Sequence, residues 1–481
     1  MKRSEHRIEP DAGRLVSRPF VPGAVNFGGD NRRLELIVER ILALSPEAQT
    51  RLLAEARDRA SGRFRAIESD WIRHFDLAAQ RVPSLAATTD PDLRLLIGSY
   101  LTLGYAYEAA ALTNPSIVPF GDAEDGVQPF VMSARAIGEG HISSVAFLTG
   151  SAGPGGEVQF DQRSPFADNG ERLEPTYRRR SFTHKLSELG FGNEVSDRIL
   201  ADLPDEFTGA DLLAGLTAVM DADLDPVLVS DTVRMIHWLS DSSYEVVFEA
   251  DVPLSERLIS PAAPSESRGM EDARFVRFVD DDGQVTYFAT YTAFDGVRIL
   301  PQLIETEDFR HFRMSTMSGP TAYHKGLALF PRKVGGEYAA VSRHDQETTF
   351  VMRSDNLRHW GNAEAVLVPE QGWEAVQTGN CGSPLETEAG WLLITHGVGP
   401  MRRYVLGAVL LDLEEPAKLV GRLTAPLLEP AEEESVGYVP DVVYSCGGMI
   451  VDGQLILPYG YADHGIRVAT VPVAQLLDEM V

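Results

Sequence analysis

After Asp225, short apolar stretches return at a spacing that few folds can use. They begin at Tyr244 (YEVVFEAD), Tyr287 (YFATYTAFDG), Tyr338 (YAAVSRHD), Trp391 (WLLITHGVG) and Leu455 (LILPYGYAD). Their starts lie roughly 40–65 residues apart, the repeat length of a four-stranded propeller blade. Gly, Asp, Pro and Ser clusters separate them, and helix signals fade. Five such strands in about 250 residues predict a five-bladed β-propeller over 226–481. A β-sandwich with similar strand spacing is the alternative. Each stretch but the first ends in residues with chemical potential: Tyr291, Arg343 with His344, His396, and Tyr459 with Asp463. In a propeller the innermost strands line a central funnel, so these distant residues would meet in one pocket.

Upstream the period changes. From Arg33 to Leu112 the chain reads as helical. NRRLELIVERILAL spaces Leu34, Ile37, Val38, Ile41 and Leu42 along one helix face. Ser45–Pro46 and Asp90–Pro91 place an N-cap residue before proline at the first helical position. A β-like segment near 127–150 follows, and helical patterns return at about 181–220. Residues 1–225 are therefore expected to form a mainly helical N-terminal region.

Of the 481 residues, 44% are apolar, enough for a large core. The formal charge of −28 opposes binding to nucleic acid or to an anionic membrane, which needs basic surface. The two cysteines, Cys381 and Cys446, have no CxxC partner, so no metal site is expected. The first residues lack an apolar signal core, and no apolar run reaches the ~18 residues of a membrane span, so a cytoplasmic location is expected.

RGMEDARF (Arg268–Phe275) sets two carboxylates, Glu271 and Asp272, between two arginines at the entrance of an apolar strand. Regular strand alternation would point the two acids to opposite faces and put Arg274 on the face of Asp272. A charged, solvated loop entering a strand is the plain reading. RAIGEGHISS (Arg135–Ser144) also clusters Arg135, Glu139 and His141 around two glycines. Domain packing is the favoured reading there, and a role in shaping the substrate site the alternative.

Several stretches together carry a likeness. GMEDARF (Gly269–Phe275), HKGLALFPRKVGGEYAAVSRH (His324–His344), SDNLRHW (Ser354–Trp360), GNCGSPLETEAGWLLITHGVG (Gly379–Gly399), YVLGAVLLDLEEP (Tyr404–Pro416) and LPYGYAD (Leu457–Asp463) occur in one order. In that order they resemble glycoside hydrolase family 130, five-bladed propeller enzymes acting on β-mannosides, mostly as phosphorylases. The likeness spans roughly residues 230–475. It implies that Asp272 is the proton donor, acting through a sugar hydroxyl. It implies that Lys325, Arg343 and His396 cradle phosphate, and that Asp463 binds hydroxyls of the sugar at the cleaved end. Glu271, Arg274, Tyr244 and Tyr404 complete the expected substrate-binding set. Two positions depart from the pattern: Lys325 stands where the phosphorylases carry arginine, and Gln377 where they carry lysine. Both changes weaken a phosphate site, because lysine acts as a point charge and glutamine has none. Arg402 and Arg403 are the expected compensation.

The expected activity is phosphorolysis with inversion of β-linked, mannose-containing oligosaccharides. Inorganic phosphate is the co-substrate, no cofactor is required, and the oligomeric state is left open. Hydrolysis at the same site is the alternative. It needs a second carboxylate, for which Glu139, Glu347 and Glu386 are candidates. A carbohydrate-binding propeller without turnover is the alternative of another class.

Overall fold

In the computed structural model, residues 1–20, 22, 31–220 and 224–481 are described. The chain divides into two compact units. The smaller comprises Asp11–Ala109 with Ser164–Asp168. Its helices span Arg32–Leu42, Pro46–Ala60, Ile67–Ala79 and Pro91–Tyr100. The expected caps are formed: Ser45 accepts from the Ala48 N–H, and Asp90 from those of Asp92 and Leu93. The inward stripes bury Leu34, Val38, Ile41, Leu53, Trp71, Phe75, Leu96 and Ile97 in one core. Helix stops at Tyr100, short of the expected Leu112. Thr102–Ala106 instead pairs antiparallel with Leu15–Pro19, so tertiary pairing overrides the local helical pattern.

The larger unit comprises Met1–Pro10, Ala110–Arg163 and Asn169–Val481. It is rich in antiparallel sheet. Ala111–Pro119, Gln128–Ile137 and Ser143–Ala152 pair in sequence. Gly269–Val279, Val285–Phe294, Ile299–Thr306 and His311–Thr316 follow in the same way, joined to the first group by one parallel contact, Gly269 with Ser143. The third group is Ala328–Leu329, Tyr338–Ser342, Thr349–Ser354 and Asn362–Leu367. Gln377–Asn380, Gly390–Val398, Tyr404–Leu411 and Leu419–Arg422 make the fourth. The fifth joins Val443–Tyr444, Gln454–Tyr461 and Gly465–Pro472 to Lys2–Ile8.

Each group packs on the next through apolar faces. Val131 and Phe147 of the first meet Phe275 and Ala289 of the second. Phe278 and Phe288 meet Ala340 and Met352 of the third. Val341 meets Trp391 and Leu393 of the fourth, and Ile394 and Leu406 meet Leu457 and Tyr459 of the fifth. The fifth returns to the first: the Leu112 N–H donates to the His464 carbonyl (2.9 Å), and Ser116 bridges to Gly447. Gly390–Val398 is buried at every position, which is why it reads as a continuous apolar run rather than an alternating one.

Two expectations about organisation change. The boundary at residue 225 matches neither unit, because the strands of 111–160 pair and pack with the later sheets. Helical structure also continues past it, as Pro226–Asp241 packs with Arg179–Glu188, Glu194–Leu200 and Gly209–Met220 on a core of its own. Tyr244–Val247 does not found a sheet; it lies beside His311–Thr316 in the second group. Among the described residues no helix is long and apolar enough to cross a membrane.

Lys2–Ile8 forms the outer strand of the fifth sheet, and Arg3 reaches the buried Glu434 carboxylate at 3.5 Å. Deleting Lys2–Ile8 is expected to destabilise the protein by about 2–4 kcal/mol, from ladder bonds worth about 1 kcal/mol each. The midpoint of urea unfolding, followed by circular dichroism, measures this; an unchanged midpoint would show that the strand does not hold the sheet.

Candidate active site

Asp272 sits in a β-bulge. Pairing with the neighbouring strand jumps from Glu271–Thr292 to Arg274–Thr290, and Asp272 takes a left-handed conformation at φ 56°. The bulge cancels the expected alternation, so both acids reach one guanidinium. Arg135 Nη2 contacts Glu271 Oε1 at 2.8 Å, and Nη1 lies 3.6 Å from Asp272 Oδ1.

A second bulge faces the first. Between Thr113 and Ser116 the register shifts, and Asn114 is left-handed at φ 48°. Its Nδ2 donates to Asp272 Oδ1 at 2.6 Å. The following residues fix the loop: the Pro115 carbonyl accepts from the Cys446 N–H (2.8 Å), and Ser116 Oγ accepts from the Phe275 N–H (3.0 Å). Asp463 is also left-handed, at φ 46°, in the turn from Gln454–Tyr461 to Gly465–Pro472. Asn and Asp tolerate this conformation better than other non-glycine residues, and such backbone persists where its surroundings enforce it.

On the other side of Asp272 lies a buried basic network. Arg274 donates from Nη1 to the Asp272 carbonyl (3.0 Å) and from Nη2 to the Tyr444 hydroxyl (3.0 Å); Nη2 also lies 3.6 Å from Asp272 Oδ2. The His396 ring packs edge-on against Tyr444, with centroids 4.9 Å apart, and stacks on Tyr404 at 6.0 Å. Arg343 Nη1 stands 3.4 Å from His396 Nε2. An arginine only donates, so Nε2 accepts and the ring proton sits on Nδ1, facing Cys381 Sγ at 3.8 Å. Gly379 opposite permits this approach, since a Cβ there would fall 2.7 Å from His396 Cε1 and 2.9 Å from Arg343 Cδ. Lys325 bonds to Glu271 Oε2.

The charges decide protonation. Burial pushes the Asp272 carboxyl up, but Arg274, Arg135 and Lys325, with the Asn114 bond, outweigh it and hold its pKa below the usual 3.8. Asp272 is thus a carboxylate in the free protein; of the two effects opposed at this residue, the cations win. Asp463 goes the other way: burial raises its pKa, the Asp272 and Glu271 charges add to this, and Arg135 and Arg402 oppose. Burial, then Arg343 and Arg274, keep His396 neutral, well below 6.5.

Asp272, Glu271, Arg274, Lys325, Arg343 and His396 thus form one connected network, with Tyr404 against His396 and Asp463 coupled to Arg135 and Asp272. His396 is neutral, buried and bonded to Arg343, so it orients that arginine instead of supplying positive charge. Tyr244 stands apart. It is fully buried and its hydroxyl is spent on Glu266 at 3.0 Å, beside Tyr291 on the same carboxylate (2.6 Å), which leaves it no face for a sugar. Arg403 is paired with Glu429 at 2.8 Å and is no compensating cation. Glu386 is gripped by Arg332 at 2.6 Å.

Sequence reasoning missed Asn114 and Tyr444 and assigned Arg135 to packing. Signals existed. Asn114–Pro115 breaks an apolar strand, as Asn-Pro does in turns. Arg135 interrupts VMSARAI, and a charge buried in such a run requires a partner.

Comparison with known proteins follows this geometry. A family profile described as beta-1,4-mannooligosaccharide phosphorylase, of the glycoside hydrolase 130 group, matches residues 234–481. A 1,2-beta-oligomannan phosphorylase from Thermoanaerobacter sp. is 35% identical over 234 residues, covering 46% of this chain and 75% of that protein. A beta-1,2-mannobiose phosphorylase from Listeria innocua is 30% identical over 220 residues, or 44% of this chain and 60% of that protein. The solved Listeria innocua beta-1,2-mannobiose phosphorylase in complex with beta-1,2-mannobiose gives a TM-score of 0.47 at 20% identity, covering 77% of this chain and 92% of that one.

A histidine whose folded pKa is depressed leaves the unfolded chain to take the proton first. Its stabilisation is complete above the unfolded value of 6.5 and is lost as pH falls below it. His396→Asn is therefore expected to flatten the loss of stability between about pH 7 and about pH 5, read by urea unfolding across that range. His74, lowered to about 4 chiefly by burial, retains its own slope in the variant. An unchanged total slope would mean that folded His396 takes up the proton.

Proposed function

The chain belongs to glycoside hydrolase family 130, and from that premise we propose that it is an inverting phosphorylase of β-linked mannosides. The observation that carries this reading is the Asp272 carboxylate, set against Arg135, Arg274 and Lys325, with Arg343 joined to Arg274 through His396 and Tyr444. A hydrolase activates water with a base, whereas phosphate arrives as an anion and needs only to be held. Opposing these four cations are three acids, Glu271, Asp272 and Asp463, so the nest stays positive although Gln377 replaces a lysine. Arg343, backed by neutral His396, grips phosphate with its fork of donors, and Lys325 turns to it from Glu271.

Phosphate attacks the anomeric carbon from one face while the bond to the leaving oxygen breaks on the other. Asp272 supplies the proton to that oxygen through a sugar hydroxyl, and α-mannose 1-phosphate leaves. The free-state charge of Asp272 fits this role. Phosphate offsets the cations that keep it ionised, and the sugar removes water; both raise its pKa toward the protonated form. Asp463 binds sugar hydroxyls beside it. Five antiparallel sheets, packed in succession with the fifth meeting the first, support a five-bladed propeller. A cytoplasmic location suits the reaction, because a charged sugar phosphate is retained by a membrane.

One observation favours hydrolysis as the second reading: Asp463 is a carboxylate with a raised pKa coupled to an ionised partner, the pairing an acid and a base require. Incubation with β-1,2- and β-1,4-mannobiose, with and without phosphate, separates the two. Mannose 1-phosphate formed only with phosphate is expected; free mannose released without it would replace phosphorolysis by hydrolysis.

Asp272→Asn is expected to lower turnover by about 10²–10⁴-fold with unchanged circular dichroism. Arg343→Ala should raise the KM for phosphate roughly tenfold or more, the value of a charged hydrogen bond. An Asp272→Asn protein that turns over normally would remove Asp272 from the acid role.

A further inference from the structure

His141 and Tyr438 meet as a stacked aromatic pair on the surface. Their ring centroids lie 5.2 Å apart at 26°, and the Tyr438 hydroxyl is 3.4 Å from His141 Nδ1. They come from turns separated by 297 positions in sequence. Tyr438 is 60% exposed, and His141 is exposed in a left-handed conformation at φ 57°. Exposed rings held face to face by two separate turns are a preset surface, not a core.

Their position ties them to the site. His141 lies in the turn after Gln128–Ile137, the strand that carries Arg135, and just before Ser143, which pairs with Gly269 at the start of the Asp272 strand. Tyr438 stands between Gly437, whose Cβ would fall 2.6 Å from Ala462 Cβ, and Val439, whose N–H donates to the Ala462 carbonyl at 2.9 Å. Ala462 precedes Asp463. The pair therefore borders the Asp463 turn and the end of the Arg135 strand.

Inversion fixes what that place is for. Nucleophile and leaving group occupy opposite faces of the anomeric carbon. Asp272 Oδ2 faces Arg274, which leads through Tyr444 and His396 to Arg343, the phosphate side. Oδ1 faces Asn114 and Arg135, and the strand of Arg135 runs on to the His141 turn, which assigns His141–Tyr438 to the leaving-group side.

We propose that His141 and Tyr438 form an aromatic acceptor subsite that binds a mannosyl unit beyond the first leaving sugar, so that the site selects longer β-mannosides over the disaccharide. The apolar C–H face of that sugar packs on the open face of Tyr438, and the His141 ring edge meets its hydroxyls. This rests on the mannoside reading of the site.

The test is binding by titration calorimetry of β-mannotriose and β-mannobiose, of both linkages, to the wild-type protein, Tyr438→Ala and Tyr438→Phe. The ratio of trisaccharide to disaccharide affinity is expected to fall about tenfold in Tyr438→Ala and to hold within about twofold in Tyr438→Phe, which keeps the ring. In the synthetic direction, Tyr438→Ala should raise the KM for a mannotriose acceptor and not that for mannose 1-phosphate. An unchanged ratio, or equal loss for both sugars, overturns the proposal, since a clasp that merely steadies the turns would weaken both alike. Melting temperatures of the variants identify a folding defect, in which case His141→Gln replaces Tyr438→Ala under the same criterion. The ratio is read without turnover: a wild-type protein that binds but neither cleaves nor synthesises would defeat the phosphorylase reading and leave this one standing.

Discussion

Two bulges that face each other hold Asp272 between Asn114 and Arg274, and the buried charge network of the larger unit depends on that contact. An isolated ionised carboxylate in such a place would be costly. Here it is paired on both oxygens, with Arg135 and Asn114 at Oδ1 and Arg274 at Oδ2. Removing one member of a buried charged group leaves the others uncompensated, so the members stand or fall together. This explains why residues from the first, second and fifth sheets converge there: Asn114 and Arg135, Glu271 to Arg274, and Tyr444.

The sheets supply rigidity and the bulges supply direction. Regular antiparallel pairing points successive side chains to opposite faces. A site made only of regular strands would show Glu271 or Asp272, not both. The extra residue at Asp272 turns the second acid toward Arg135, and the matching irregularity at Asn114 brings an amide to meet it. The left-handed backbone of Asn114, Asp272 and Asp463 is the local cost, tolerated because neighbouring ladders fix both ends of each segment.

The later sheets were legible in the sequence because their central strands are long, apolar and regularly spaced. Val285–Phe294, Gly390–Val398 and Gln454–Tyr461 fall where the repeat places them. The first sheet was not assigned to the same set. Its strand 128–137 lies in the segment near 127–150 that reads as β-like, but flanking helices in the sequence hide that it packs with residues 269–316. Tyr244 misled for a related reason: its strand has the repeat's composition but pairs with the last strand of the second sheet, between His311–Thr316 and Glu171–Leu173, and its hydroxyl turns inward to Glu266. Asp272, Glu271, Arg274, Lys325 and Arg343 were identified through a family likeness. Their partners Asn114, Arg135 and Tyr444 were not, because partnership across 158, 136 or 170 positions leaves no periodic trace.

The same charges that keep Asp272 ionised make its protonation conditional. In the free protein Arg274, Arg135 and Lys325 outweigh burial, and the carboxylate has no proton to give. In the proposed reaction an anion held at Arg343 and Lys325 cancels part of that field, and a bound sugar strips away water, so burial gains the upper hand. In the proposed phosphorolysis the acid is then armed only when both reactants are present. A water molecule carries no charge and leaves the field as it was, so it cannot arm the acid in this way. On the proposed mechanism, positive charge around a carboxylate, which looks at first like an obstacle to acid catalysis, thereby favours phosphate over water as the nucleophile.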